Sequence, residues 1–590
     1  MVRFGGTASI LVLAMFSGSS AAWGQAQPTV SPAQVPLPSR EQVNPVPTPS
    51  PEAKSAAHVD ESNAFAAGPC PLSGSDISVA IKHVQFAAPG GAALAPALVA
   101  LLSGISTGSQ SQPIRVVCDL RDQANARLRQ ARYVASVQIP PQRIDDGVLR
   151  LEVVTGHIVE VRVRGDAGPY EGLIKHRIEQ LKTLNPLNAG DAERLLLQAN
   201  DVPGLNIQLG LSPVTSGGKP GELVGELKVT YHRFSLVGNV QNYNSKLLGR
   251  ETFYLRAEAY DLLGLADRTY LAGSTTFDFK KQRVLQFGES IGLSSAGDRL
   301  TFVSTVAYSR PKLDLLDLRT LSLIENLEYT HPLIHTVQSR IDAAGGFEYA
   351  IQRTRVYNNM GSAALNRDRI STIYARLDGD TRKLRFDGSQ FWGLSGSLEL
   401  RKGLNVLGST KTGAIVDGYT PSHFDGSATA TVVRGGLTGS IALGPVFELA
   451  TTLRGQYSDK PLLNYDQFSI GNLTIGRGYD PGVNTGDRAI AGAHEARINV
   501  PLGQSAHGQF YAFYDWVKLW NLDPASTERN RLLQSVGGGA RTTVFNSVRL
   551  DLTYAHPLDP PLLTGTNIRR SPDRVMFSLT MQIIPFGTQH

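Results

Sequence analysis

Few residues in this 590-residue chain stand at spacings that make or break bonds. No His-Glu-x-x-His run is present, and no catalytic residue, metal site or cofactor is expected. Nor does the chain carry a phosphate-binding loop or a nucleic-acid motif, which argues against nucleotide or nucleic-acid partners. Cys70 and Cys118 are the only cysteines. Two cannot make a Cys-rich zinc site, and in an exported chain an even pair reads as one disulfide. The remaining chemistry is electrostatic. Within Phe468 to Leu502, Gly476-Arg477-Gly478-Tyr479 is followed by Asp480-Pro481-Gly482. Glycine and proline break a strand ladder, so this segment reads as a long loop. An arginine between two glycines can come close to a wall and form a bidentate, charge-assisted pair with a carboxylate.

A carboxylate is available on the run Gln509 to Trp520. There Phe510, Ala512, Tyr514 and Trp516 share one face, and Tyr511, Phe513, Asp515 and Val517 share the other. A mid-strand carboxylate is costly against lipid, so in a membrane barrel Asp515 faces the lumen. Two arrangements fit the residues. Either Arg477 lies on a loop folded inside and pairs with Asp515, or it sits in a solvated turn and Asp515 bonds elsewhere.

The elements that must position this pair follow from the rest of the chain. Arg3, the apolar Ile10 to Phe16 and small residues at Ala22-Trp23-Gly24 or Gly24-Gln25-Ala26 read as an export signal over 1–26. Prolines at 28, 32, 36, 38, 45, 47, 49 and 51 make 27–69 a proline-rich linker, with a short helix expected over Glu52 to Phe65. Residues 70–155 and 156–230 read as two small α/β modules of strand, helix, helix, strand, strand. Strands are expected at Ile77 to Phe86, Val148 to Val154, Ile158 to Val163, Ile207 to Leu211 and Glu222 to Thr230. Helices are expected at Ala95 to Ile105, Asp119 to Tyr133, Gly172 to Leu181 and Asp191 to Ala199, with Asn188 or Asp191 as a cap.

From about 231 to 590 the texture changes to longer alternating runs. In Arg250 to Tyr260, Phe253, Leu255, Ala257 and Ala259 oppose Thr252, Tyr254, Arg256 and Glu258; Val575 to Ile583 repeats the pattern. Hydrophobic residues make up 41%, yet no apolar run of helical membrane-spanning length follows the signal. Lipid outside and a wet lumen inside satisfy such strands, and so does a soluble sandwich. The number of runs and the export signal favour an all-β transmembrane barrel of about 16 antiparallel strands, roughly 22 residues per strand and loop. Leu327-Glu-Tyr-Thr-His-Pro-Leu333 and Leu552-Thr-Tyr-Ala-His-Pro-Leu558 echo each other, each expected to end a strand and turn at proline, with His331 and His556 as turn residues. The formal charge of +6 reads as a mixed solvated surface.

In order and spacing, the chain from about residue 70 resembles the outer-membrane transporters of two-partner secretion, the haemolysin-activator and filamentous-haemagglutinin transporter type. Leu248-Gly249 and Leu263-Gly264-Leu265-Ala266-Asp267 look like the opening hairpin of that barrel. Phe468, Ile470-Gly471 and Gly476-Arg477-Gly478-Tyr479 look like the inward loop, Glu495-Ala496-Arg497 and Pro501-Leu502 like the returning strand, and Phe513-Tyr514-Asp515 like the Phe-x-Asp wall motif. The resemblance implies polypeptide-transport-associated (POTRA) modules in the periplasm and a barrel in lipid. It implies Arg477 locked on Asp515, and secretion of a large partner exoprotein, with an assembly factor of the same superfamily as the alternative. Val517 stands where the family often has glycine, and Gly587 to His590 follow the terminal aromatic Phe586. The proline-rich N-terminus does not read as the plugging helix that members often carry, unless Glu52 to Phe65 supplies it.

Overall fold

The computed structural model describes residues 37–43, 59–60, 63–65, 70 and 72–585, apart from 73, 76, 107, 109, 145–146, 216, 295, 314–315, 386–388, 504, 525, 527 and 563–570. The export signal at 1–26 and Phe586 lie outside the described residues.

The first module carries a three-stranded sheet of His83–Ala87, Val148–Thr155 and Ala135–Gln138. Helices Pro96–Leu102 and Val116–Gln130 pack on it. Val117, Leu120, Ala124 and Leu128 recur at helical spacing, so one stripe of the second helix enters the core with Leu149 and Leu151. Cys70 is bonded to Cys118 on that helix. The run expected as one strand over Ile77 to Phe86 is instead Ser78–Val79 and His83–Ala87, because Ile81 turns into the core between them.

The sheet changes at Gly156. The second module pairs His157–Asp166, Glu222–Tyr231 and Leu205–Pro213, backed by helices Glu171–Lys182 and Ala189–Asn200. Asn188 starts the last helix by accepting a hydrogen bond from the Gly190 N–H at 2.9 Å. The fourth strand of this sheet is Val59–Asp60, which pairs parallel with Leu209 and Gly210. Of the helix expected over Glu52 to Phe65, the described residues are the strand Val59–Asp60 and a turn at Asn63 to Phe65, and the remainder lies outside the described residues; two strand residues are too few to show alternation in sequence, and tertiary pairing decides their conformation.

Sixteen antiparallel strands close the barrel. They are β1 Phe234–Gln241, β2 Thr252–Tyr260, β3 Arg268–Thr276, β4 Gln282–Gly292, β5 Arg299–Ser309, β6 Asp317–His335, β7 Ser339–Asn358 and β8 Gly361–Leu384. Next come β9 Gln390–Leu404, β10 Thr431–Ala442, β11 Phe447–Ser458, β12 Arg488–Pro501, β13 Ala506–Trp520, β14 Asn530–Val544, β15 Val548–Pro557 and β16 Arg574–Ile584. β1 closes the barrel by pairing with β16, from Leu236 opposite Ile584 to Gln241 opposite Ser578. Closure leaves no free edge within lipid. On β13 the outward Phe510 is exposed while the inward Tyr511, Phe513 and Asp515 are buried. At the module end, the Asp267 carboxylate accepts from the N–H groups of Leu262 and Leu263 at 2.9 and 2.8 Å and so fixes the first turn.

Two expectations are corrected inside the barrel. The proline-rich linker is not wholly a solvated spacer, since its short helix Arg40–Val43 lies in the lumen. The Gln282 and Gln352 amides donate to the carbonyls of Gln42 and Pro38, at 2.6 and 3.1 Å. Val43 is buried against Val284, Ala307, Ile324 and Ala350. Satisfied backbone and one apolar anchor hold this segment despite its proline content. Second, β6 runs through Pro332 to His335 with a bulge between Pro332 and Ile334, so His331 is a strand residue. There its Nδ1 lies 2.6 Å from Asp298.

Candidate functional site

The chain from Asp459 to Asp487 leaves the far end of β11 and folds back into the barrel before entering β12. Phe468–Ser469 and Thr485–Gly486 pair as a small ribbon at its neck. Phe468, Ile470, Ile475 and Tyr479 pack on Ala489, Ala491, Val517, Leu519 and Leu533 of the wall. This apolar seat explains Val517: a side chain is used there where the resemblance leads one to expect glycine.

At the tip, Arg477 meets three walls of different chemistry. Its Nε and Nη2 donate to Asp515 Oδ2 and Oδ1 at 2.9 and 2.6 Å, and its backbone N–H donates to Oδ2 at 2.9 Å. Nη1 donates to Glu495 Oε1 at 2.5 Å. The guanidinium lies 3.6 Å above the centroid of the Phe513 ring. A bidentate fork, a second carboxylate and a π face define one position for the group. Asp515 is 1% exposed and Arg477 16%, so the pair is shielded from solvent.

The neighbours of Arg477 are equally committed. Gly476 adopts φ +107°, a conformation that L side chains rarely take. A Cβ on Gly478 would lie 2.7 Å from Ser535 Cβ, so the backbone passes against β14 only as glycine. The Gly478 N–H donates to Ser535 Oγ at 3.2 Å. Tyr479 is fully buried and its hydroxyl donates to the Gln534 carbonyl at 2.8 Å. Asp480 accepts from Arg250 Nη2 at 3.2 Å, which ties the loop to the β1–β2 connection. Arg574 on β16 donates to the Tyr479 carbonyl and to Asn472 Oδ1.

From sequence, Glu495 stands only in the returning-strand motif, with no role assigned to its carboxylate. It accepts from Arg477, from Arg497 Nε at 2.8 Å and from Arg541 Nη1 at 3.0 Å, so it links the loop to β12 and β14. The signal was present in Glu495-Ala496-Arg497, where period two puts both charges on the lumenal face. A second network holds the N-terminal helix. Arg40 lies 3.2 Å from Glu348, which also receives Arg401 at 2.6 Å, and Arg401 bonds Glu399 at 3.2 Å. Arg40 is also stacked 5.6 Å from the Tyr465 ring, at the base of the inward loop. Arg40, Glu348, Glu399 and Arg401 also line a cavity of about 310 Å³, together with Arg256, Gln286, Asn326, Glu328, Arg376 and the apolar Val303 and Ile324. One Gly-x-Ser-x-Gly run does occur, Gly104-Ile105-Ser106-Thr107-Gly108. It follows the helix Pro96–Leu102 and does not join a strand to a helix, so it lacks the elbow that exposes a nucleophile.

Comparison with known proteins agrees with this architecture. The family described as "Haemolysin secretion/activation protein ShlB/FhaC/HecB" matches residues 352–542. The chain is 24% identical over 442 residues to the heme/hemopexin transporter protein HuxB of Haemophilus influenzae (strain 86-028NP), covering 72% of this chain and 74% of that one. It is 23% identical over 462 residues to the outer membrane transporter CdiB-2 of Burkholderia pseudomallei (strain 1026b), covering 74% and 73%. In fold it is similar to CdiB from Escherichia coli, with TM-score 0.59, 16% identity, and 88% and 93% of the two chains covered. CdiB from Acinetobacter baumannii gives 0.50, 17%, 86% and 90%. A closed 16-stranded barrel, a loop folded into its lumen and these similarities support a two-partner secretion outer-membrane transporter.

Proposed function

We propose that the two modules capture one large exported protein in the periplasm while it is unfolded. The barrel then passes it through the lumen in extended form, and the product becomes active by folding outside. The observation that carries this reading is how the lumen is closed. Two separate segments, Arg40–Val43 and the loop around Arg477, fill it through polar contacts and small apolar anchors. Such contacts can be exchanged for water or for a passing backbone at modest net cost, unlike a close-packed apolar core. The lumenal wall of alternating carboxylates and guanidiniums suits a chain of mixed sequence. Arg477 acts here as a lock and not as a catalytic group, and the chain works as a transporter, not an enzyme. Its outward face contacts outer-membrane lipid, and it uses no nucleotide. Direction comes from folding of the product beyond the membrane.

Deleting the gene tests this. One large extracellular protein disappears from the culture medium, while the other outer-membrane barrels assemble at normal levels. Loss of many barrels together would instead identify an assembly factor, and an unchanged medium would refute both readings.

A further inference from the structure

The outer wall of the barrel carries a basic patch at the end remote from the modules. On β6, β7 and β8 the inward Thr320, Gln352, Thr354 and Asn366 are buried, so period two turns Arg319, Arg353, Arg355 and Arg367 outward. Register sets these arginines side by side. Arg319 stands directly opposite Arg355, and Arg353 directly opposite Arg367. Facing positions on antiparallel strands hold their Cβ atoms about 5 Å apart, and like charges there destabilise the sheet. Part of the charge is answered locally. Asp317 receives Arg319 at 2.7 Å, and Asp417 receives Arg367 at 3.0 Å. The Asp417 side chain is 72% exposed, so that bridge is screened by solvent. Arg355 is held by neutral oxygens, 3.1 Å from Ser362 Oγ and 2.9 Å from the Tyr419 hydroxyl.

The surroundings of the patch are amphipathic. Towards the modules the same outer face becomes apolar, with Leu321 on β6, Ile351 on β7 and the exposed Ile373 and Leu377 on β8. Tyrosines stand at the boundary, where aromatic rings collect at a membrane interface. The Arg319 guanidinium lies 3.9 Å from the Tyr357 ring centroid, and that of Arg367 lies 4.9 Å from the Tyr419 centroid. The connection after β9 crosses this wall. Ser371 Oγ donates to the Val406 carbonyl at 3.0 Å and the Tyr349 hydroxyl to the Leu407 carbonyl at 3.3 Å, and the Val406 and Leu407 side chains stay exposed. The patch is one-sided: the corresponding end of β2, β15 and β16 presents Phe253, Tyr554 and Val575 outward. A ligand that answers this wall carries anionic groups above apolar chains. Guanidinium takes phosphate bidentately, and two opposed arginines bracket one phosphate. We propose that Arg319, Arg353, Arg355 and Arg367 bind a phosphorylated glycolipid of the outer leaflet. Its phosphates lie between the guanidiniums and relieve their repulsion, and its acyl chains run along Ile351, Ile373 and Leu377. The site braces the wall of β6 to β8 and does not depend on the transport reading above.

The test uses the full-length transporter in detergent and a fluorescent lipid A carrying two phosphates. Arg353→Gln with Arg355→Gln keeps polar side chains at these positions and removes both charges. This variant is expected to bind the probe at least tenfold more weakly than the wild type, with mobility on unheated gels showing an intact barrel. If it does not insert, Arg319→Gln with Arg367→Gln, on the flanking strands, takes its place with the same expected loss. Lys518 is an outward lysine on β13, between the buried Val517 and Leu519, and Lys518→Gln is expected to bind like the wild type. Lipid A stripped of its phosphates is expected to bind the wild type at least tenfold more weakly. Inorganic phosphate and the phosphorylated sugar without acyl chains are expected not to displace the probe. Undiminished binding by the arginine variants, an equal loss in Lys518→Gln, or binding indifferent to the phosphates overturns the site. Displacement by inorganic phosphate or by the bare sugar overturns the assignment to a lipid. Binding in detergent is independent of secretion, so failure here is distinguishable from failure of the transport reading in the deletion strain.

Discussion

Replacing Arg477 with alanine removes its side-chain contacts with Asp515, Glu495 and the Phe513 ring and leaves the sixteen-strand ladder untouched. The cost is unevenly shared. Glu495 keeps Arg497 and Arg541, so it remains neutralised. Asp515, 1% exposed, keeps only the Arg477 backbone N–H among the described residues. Stranding one member of a buried ion pair costs about 3–5 kcal/mol, or about two to three and a half powers of ten in the closed-to-released ratio of the tip. Part of that is stranding and not attraction, so Arg477→Ala with Asp515→Ala should be less damaging than Arg477→Ala alone. Protease access to the loop in intact cells reads the released fraction. Mobility on unheated gels reports whether the barrel still inserts, and partner protein in the medium reports secretion. We expect normal insertion, a loop cut at least tenfold faster and secretion reduced at least tenfold. Arg477→Ala and Asp515→Ala variants that each secrete at the wild-type level would refute the reasoning.

Other outcomes follow from the same geometry. Gly478→Ala forces a Cβ to 2.7 Å from Ser535 Cβ and to 3.1 Å from the Pro557 backbone, and should destabilise loop seating by about 1–3 kcal/mol, read as faster proteolysis and only partly relieved by Ser535→Gly. Val43→Asp places a carboxylate among Val284, Ala307 and Ile324, should expel the lumenal helix at a cost of several kcal/mol, and should raise single-channel conductance in planar bilayers. Cys70→Ser opens a loop closed over a sequence separation of 48. It should lower the stability of the first module by about 4 kcal/mol, measured as a lower denaturant midpoint for exposure of helix Val116–Gln130, while barrel insertion is unchanged.

The barrel was legible because period-two alternation survives wherever one face meets lipid and the other water, as on β2 and β16. That same alternation turned Asp515 inward, and the glycines around Arg477 gave it the close approach needed to reach a wall. What sequence hid was set by partners distant along the chain. Arg40–Val43 is too short to show helical period, and its proline-rich surroundings read as linker; Gln282, Gln352 and Glu348 hold it in place. Val59–Asp60 becomes a strand by pairing with Leu205–Pro213, with Glu193 accepting from the Val59 N–H. Pro332 reads as a turn, yet a bulge absorbs it within β6.

The central claim is that a polypeptide travels through this lumen, and neighbouring residues on one strand can decide it. Gln286 on β4 lines the lumenal cavity, whereas Leu285 beside it is 56% exposed on the outer face. A photo-reactive amino acid placed at each position in turn, in cells exporting the protein that is lost on gene deletion, should cross-link that protein from position 286 and not from 285. Cross-linking from 285 alone, or from neither while secretion proceeds, would contradict passage through the barrel.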